Sequence, residues 1–390
     1  MAFWIMLIWV AAVYFLFRTS MSYTVQCPDG GTEYQSRSGY ALLLFCVPLL
    51  IIATRTQFCD TGSYIGKFEH LPSDLESFDL AVSSDKSLLF VGFQVLFKVF
   101  VSEESSVFIA FVACLQAFCV LKTLKKYSVD LGFSVFMFVA TGLVGSWMCN
   151  GIRQFIAVAI LFACTEWLLN GKWYLSMLLS VFLMGLGPIA SFLYIDSIPW
   201  YLDGIHQSVL IFLLAIPFII GKPFNKRLWI LAGILIVLIA TGSLESTLSS
   251  SVETTNYNVD MEYVEADTGT NIFRVLVQAA PLVLAVFARN EIQKPDTPKI
   301  IQLAVNCSFV STVLYVASAF TSGIFVGRLP VFFEMYNLIL VPWLVSHPFK
   351  ANKKLFTACI MAAYTAFFFY QVNISWKDAL LLSYLPGLGG

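Results

Sequence analysis

The chain has 390 residues, 23 Lys plus Arg against 24 Asp plus Glu for a formal net charge of −1, and 58% hydrophobic residues, 36 of them phenylalanine. At a mean hydropathy of +0.80 that is more apolar side chain than a soluble core buries, so composition points to a polytopic membrane protein. It excludes a water-soluble enzyme and a basic nucleic-acid-binding protein.

The expected fold is all-α, a single membrane domain over 1–390. Apolar runs in chain order predict spans near 2–17, 39–54, 105–121, 131–148, 152–169, 173–195, 207–220, 228–241, 271–288, 298–320, 329–346 and 355–372, about 12 transmembrane helices. Several fall short of the roughly 20 residues that cross about 30 Å of hydrocarbon, which implies thinned or broken helices. The run 87–101 is shorter still and contains Lys98, so it reads as a re-entrant or interfacial helix. Gly185, Gly187 and Pro188 are expected to kink the span 173–195.

Basic residues set the orientation. Loops 122–130, 170–172, 221–227, 289–299 and 347–354 carry the Lys and Arg residues and alternate with the rest, which makes them cytoplasmic. The alternate loop 242–270 has no Lys or Arg and carries Glu245, Glu253, Asp260, Glu262, Glu265 and Asp267, as an outer acidic loop should. Residues 2–17 lack a positive leader and Arg18 follows them, so they read as a first span rather than a cleaved signal. With twelve spans both termini lie outside.

On this map Arg55, Arg153, Arg274 and Arg328 all fall at the outer ends of apolar runs. A guanidinium beside hydrocarbon costs several kcal/mol unless it meets a partner or a wet cavity. A shared polyanionic ligand is one such partner; snorkelling to headgroups or pairing with loop acids is the other. Asn150 is expected to cap the helix carrying Arg153 and Gln154, and Thr270 or Asn271 the one carrying Arg274. Helix N-termini with arginines make an anion cradle, and the planar guanidinium suits phosphate oxygens bidentately.

The outer loop 55–86 is the densest stretch, running Arg55-Thr-Gln-Phe-Cys-Asp60-Thr-Gly-Ser-Tyr64. If a helix starts at Asp60, then Asp60, Tyr64 and Phe68 share a face. Asp60 is then either its cap or a catalytic or substrate-orienting acid. Asp60-Thr61-Gly62 and Asp267-Thr268-Gly269 both spell an aspartic-protease triplet, but the flanking membrane helices deny the β-turn context that chemistry needs. The nine cysteines show no CxxC spacing, and no metal site is expected. Only Cys27, Cys59 and Cys149 lie near loops, which leaves one disulfide open.

Arg55…Asp60-Thr61…Tyr64…Phe68, Gly151-Ile152-Arg153-Gln154-Phe155, Ile205-His206-Gln207-Ser208-Val209 and Gly327-Arg328-Leu329-Pro330 together resemble the EpsG family of exopolysaccharide and capsule polymerases, related to the Wzy polymerases of O-antigen synthesis. The likeness runs from about residue 40 to 346. The chain departs from that pattern in the insert 195–204 before His206 and in Phe58-Cys59, where a Gly-rich turn is usual.

The resemblance implies a glycosyltransferase of the bacterial cytoplasmic (inner) membrane that joins undecaprenyl-diphosphate-linked oligosaccharide repeat units on the outer face. It also implies membrane lipid as solvent, and a flippase and a chain-length regulator of the same pathway as partners. Arg55, Arg153, Arg274 and Arg328 would bind the diphosphate, with Gln154, Tyr64 and Ser208 in support. No DxD motif is present, so no cofactor or divalent metal is called for. His206 or Asp60 would take the acceptor hydroxyl's proton, with His206 slightly favoured. Two rivals remain: a single-step polyprenyl-dependent glycosyltransferase or ligase, and a carrier or flippase for an anionic glycolipid.

Overall fold

A computed structural model describes residues 1–26, 32–77, 88–186, 204–241 and 269–377. The insert 195–203, most of the acidic loop 242–270, the end of the loop 55–86, Gly187, Pro188 and Cys27 lie outside them. The chain divides into two compact units, Met1–Leu213 with Lys354–Gly390, and Leu214–Lys353. Arg55, Arg153 and His206 belong to the first and Arg274 and Arg328 to the second.

The described chain is helical apart from one hairpin. The first unit opens with α1 (Ala2–Phe17), the antiparallel pair β1 (Ser22–Gln26) and β2 (Thr32–Ser36), and α2 (Ser38–Ala53). It continues with α3 (Thr61–His70), α4 (Leu88–Phe100), α5 (Ser105–Tyr127) and α6 (Leu131–Ala140). A π-helical turn (Val144–Asn150) leads into α7 (Ile152–Ala163), α8 (Thr165–Leu169) and α9 (Trp173–Met184). The helix α10 (Val209–Ile219) crosses into the second unit, which holds α11 (Lys226–Ala240), α12 (Ile272–Phe287), α13 (Arg289–Ile292), α14 (Lys299–Ala319), α15 (Val331–Glu334) and α16 (Asn337–Ser346). The final helix, α17 (Lys353–Tyr370), returns to the first unit and ends in a π-turn (Gln371–Ser375).

Each apolar run read as a span forms a helix in the described residues, but their lengths differ. Three helices, Ser105–Tyr127, Lys299–Ala319 and Lys350–Ser375, are long and apolar enough to cross a membrane. Two bent pairs raise that number to five if each pair is one span. One of these, Leu131–Ala140 with Val144–Asn150, bends by 74°. Its break is stabilised from outside: Gly142 has φ +80°, open to glycine at little cost, and Gln371 Nε2 donates to Thr141 O at 3.0 Å. The other pair, Val326–Glu334 with Asn337–Ser346, bends by 49°. The run 152–169 is also divided, at Cys164, into α7 and α8. Helix α9 ends at Gly185, whose φ 79°, ψ −174° lies in backbone space that side-chain-bearing residues avoid, and the rest of the expected kink, at Gly187 and Pro188, falls outside the described residues.

Lys98, in the run 87–101, is enclosed by protein. It is 7% exposed, and its Nζ donates to the carbonyls of Phe68 (3.1 Å), Glu69 (2.9 Å) and Leu71 (2.6 Å), at the C-terminus of α3. A buried cation there satisfies carbonyls that the helix leaves open and meets the negative end of its dipole. At the far end of α1, Arg18 pairs with Asp130 at 2.7 Å, and Asp130 in turn caps α6 by accepting from Phe133 N. The end of the first helix is thereby tied to the start of the sixth.

Candidate functional site

In the first unit the predicted residues gather round one turn, the junction between the π-helical segment and α7. Arg55, just past α2, donates from Nη2 to Met148 O (3.0 Å), from Nη1 to Ile52 O (2.5 Å) and from Nε to Thr61 Oγ1 (3.0 Å). Thr61 Oγ1 passes its own proton to Cys149 O at 3.0 Å. Thr61 is 0% exposed and Arg55 partly buried, and each of these bonds replaces one to water.

Asp60 stands at the N-cap position of α3, with Tyr64 and Phe68 following on its face, but its side chain makes no capping bond. The backbone fixes it instead: Asp60 N–H donates to Asn150 Oδ1 at 3.3 Å. Asn150 is thereby drawn away from the expected role of capping α7, where Gly151 holds the N-cap position. Cys59 has φ 48°, a left-handed conformation that favours glycine. Burial, with smaller contributions from Asp60 and Cys149, pushes its thiol up to about 12.

Arg153, in the first turn of α7, lies 4.7 Å over the Phe90 ring, and its Nε donates to Ile205 O at 3.2 Å. Tyr64 packs edge-on against the same Phe90 at 6.0 Å. Ile205 precedes His206, and that segment is pinned in turn: Ile205 N–H and His206 N–H both donate to Leu183 O at the end of α9. Arg55, Asp60, Tyr64, Arg153 and His206 thus form one contiguous set held by α3, α4, α7 and the start of α10. Gln154 is buried beside Arg153 in sequence.

The His-x-Ser motif closes on itself. Ser208 N–H donates to His206 Nδ1 at 3.2 Å, with Ser208 Oγ at 2.8 Å from the same nitrogen. A backbone N–H can only donate, so Nδ1 is the acceptor and the neutral ring carries its proton on Nε2. The Nε2 edge of His206 is then the donor side of the ring.

The second unit has its own set. Asn271 caps α12 as expected, accepting from Phe273 N at 2.8 Å. Thr270, the other expected cap, is used elsewhere: its N–H donates to Ser318 O (3.0 Å), and Ser318 Oγ donates to Thr270 Oγ1 (2.7 Å). A Cβ on Gly327 would meet Thr270 Oγ1 at 2.6 Å, so the turn before Arg328 packs closely on the entry to the helix of Arg274. Tyr315, on α14, donates to Glu334 Oε2 at 2.7 Å, with the Arg274 guanidinium within electrostatic reach of the Tyr315 hydroxyl.

Sequence reasoning missed Glu334, Tyr315, Thr61 and Phe90. Glu334 left a signal, being the one charged residue in the run 329–346. Phe90 left none, since its type is not unusual where it stands, and Thr61 stood in the Asp60-Thr61 motif with no role of its own.

Apolar helices of crossing length, with arginines held at helix ends, define an integral membrane protein. The EpsG family model matches residues 40–196 and 203–384, and the chain belongs to the EpsG family. Membership implies a function of the polysaccharide-polymerase kind. Comparison with curated proteins and with solved structures gave no match.

Proposed function

We propose that the protein is a polymerase that joins undecaprenyl-diphosphate-linked oligosaccharide repeat units at the outer face of the bacterial inner membrane, working with about twelve spans and with both termini outside. The observation that carries the reading is the set Arg55, Asp60, Tyr64, Arg153 and His206 round the junction between the π-helical segment and α7, in a chain of the EpsG family. Further support comes from Arg274 and Arg328, whose flanking residues meet at Ser318 and Thr270.

The chemistry follows from the donors. Departure of a lipid diphosphate develops negative charge, and guanidinium groups fixed beforehand stabilise it without reorganising. Arg153 is suited to this work: Phe90 holds one face of the guanidinium while its hydrogen bond to Ile205 fixes the plane. Arg55 is engaged in three protein bonds, so it shapes the turn as well as adding positive charge. Arg274 and Arg328 are read as further diphosphate ligands.

The acceptor hydroxyl needs a base. The Nε2–H tautomer makes His206 a donor toward substrate oxygen, and the exposed carboxylate of Asp60 is left as the proton acceptor. Gln154 and Ser208 support the set, Ser208 by holding the imidazole.

The product distinguishes this from its rivals. Purified protein incubated with its lipid-linked repeat unit should give a ladder of chain lengths on a gel. A single added unit would identify a transferase or ligase, and unaltered substrate would favour a carrier; either result overturns the polymerase reading.

A further inference from the structure

A carboxyl group inside an apolar helix demands a reason. Glu334 is 3% exposed and Tyr315 0%, on helices that pack together, and the hydroxyl of one donates to the carboxylate of the other at 2.7 Å. An ionised carboxylate so placed is costly unless paired and hydrogen-bonded. The Arg274 guanidinium lies within reach of the same hydroxyl, and its Nε is buried with no hydrogen-bond partner among the described residues. A buried, charged donor without an acceptor is expensive in a finished structure and expected where a ligand completes the site. The backbone round it is fixed: Asn271 caps the helix, and Thr270 is bonded twice to Ser318. What remains to be fixed is the guanidinium itself, and Tyr315 with Glu334 is the group placed to do it.

We propose that Glu334, acting through Tyr315, is a positioning residue that orients the Arg274 guanidinium so that its unpaired N–H meets an oxygen of a diphosphate. This rests on the reading of Arg274 as a diphosphate ligand and adds to it a named acid within the membrane helix. Glu334 touches no substrate; it aims the group that does.

The test measures binding of undecaprenyl diphosphate to the full-length protein in detergent, with undecaprenol and inorganic pyrophosphate as separate probes. Alongside it, KM and kcat for chain growth are measured for E334Q, E334D, Y315F and R274A. Arg274→Ala should weaken undecaprenyl diphosphate at least tenfold and leave undecaprenol unchanged. Glu334→Gln and Tyr315→Phe should each weaken the diphosphate lipid severalfold to about tenfold, raising KM more than they lower kcat, while Glu334→Asp recovers part of the loss. Binding of pyrophosphate alone with the same ranking would assign the site to the anion; a requirement for the lipid would assign it to the carrier headgroup. If R274A loses binding while a folded Y315F and E334Q match wild type, the positioning role is overturned and the diphosphate reading stands. If R274A binds as wild type does, or wild type binds neither anion, the reading and this proposal fall together. Should E334Q fail to fold, Y315F decides the matter, since removing one hydroxyl leaves the ring's packing in place.

Discussion

Replacing Thr61 with Val keeps the shape of the side chain and removes the hydroxyl that joins Arg55 to Cys149. That hydroxyl accepts from Arg55 Nε and donates to Cys149 O, both at 3.0 Å, at a residue with no exposure. Without it a partly buried N–H of a cation and a buried carbonyl lose their partners together, and each unsatisfied group costs about 1–3 kcal/mol. Thr61→Ser keeps both bonds and loses one methyl, worth about 0.8 kcal/mol. The difference between the two variants isolates the knot, and it should be at least about 1 kcal/mol. Urea titration of purified protein in mild detergent, followed by tryptophan fluorescence, measures it. Equal midpoints and slopes for T61V and T61S would refute the claim that this hydroxyl holds the Arg55 turn together.

Lys98→Met should lower stability by about 3 kcal/mol in the same titration, because three carbonyls at the end of α3 lose a charged donor; a change under about 0.5 kcal/mol would show that water replaces it freely. Cys59, with its thiol pushed up to about 12, stays protonated at neutral pH. Its maleimide labelling, located by mass spectrometry, should therefore keep rising about tenfold per pH unit beyond pH 9; a plateau near pH 9 would contradict the burial effect. Asp60→Asn should slow chain growth by about 100-fold or more, as expected for loss of a general base, with His206→Ala less damaging and His206→Gln better than Ala because it keeps a donor. The reverse order, measured from ladder growth rates, would return the base to His206.

Much of the helical plan was legible because long apolar runs have few ways to satisfy their backbone other than by forming helices. The breaks were less so. The bend at Gly142 depends on Gln371, more than 200 positions away, and no local pattern announces such a partner. The partners of Lys98 were hidden for a related reason: no local pattern announces the carbonyls at the end of α3 that enclose it. The first-unit site was legible residue by residue, since Arg55, Asp60, Tyr64, Arg153 and His206 are polar groups at the ends of apolar helices. Their wiring was not. Asn150 was expected on its own helix and instead holds the backbone of Asp60, a choice made by tertiary approach. In the second unit Asn271 caps as its type and place foretold, whereas Tyr315 blends into an apolar helix until Glu334 is found beside it.

The central claim, that arginines grip a lipid diphosphate while sugars are joined, is tested most directly by ladder formation from purified Arg153→Ala and Arg274→Ala beside wild type. Insertion and urea midpoint are checked for each. The account predicts a long ladder from wild type and almost none from either variant, with both still folded. Ladders of wild-type length and rate from both folded variants would contradict it.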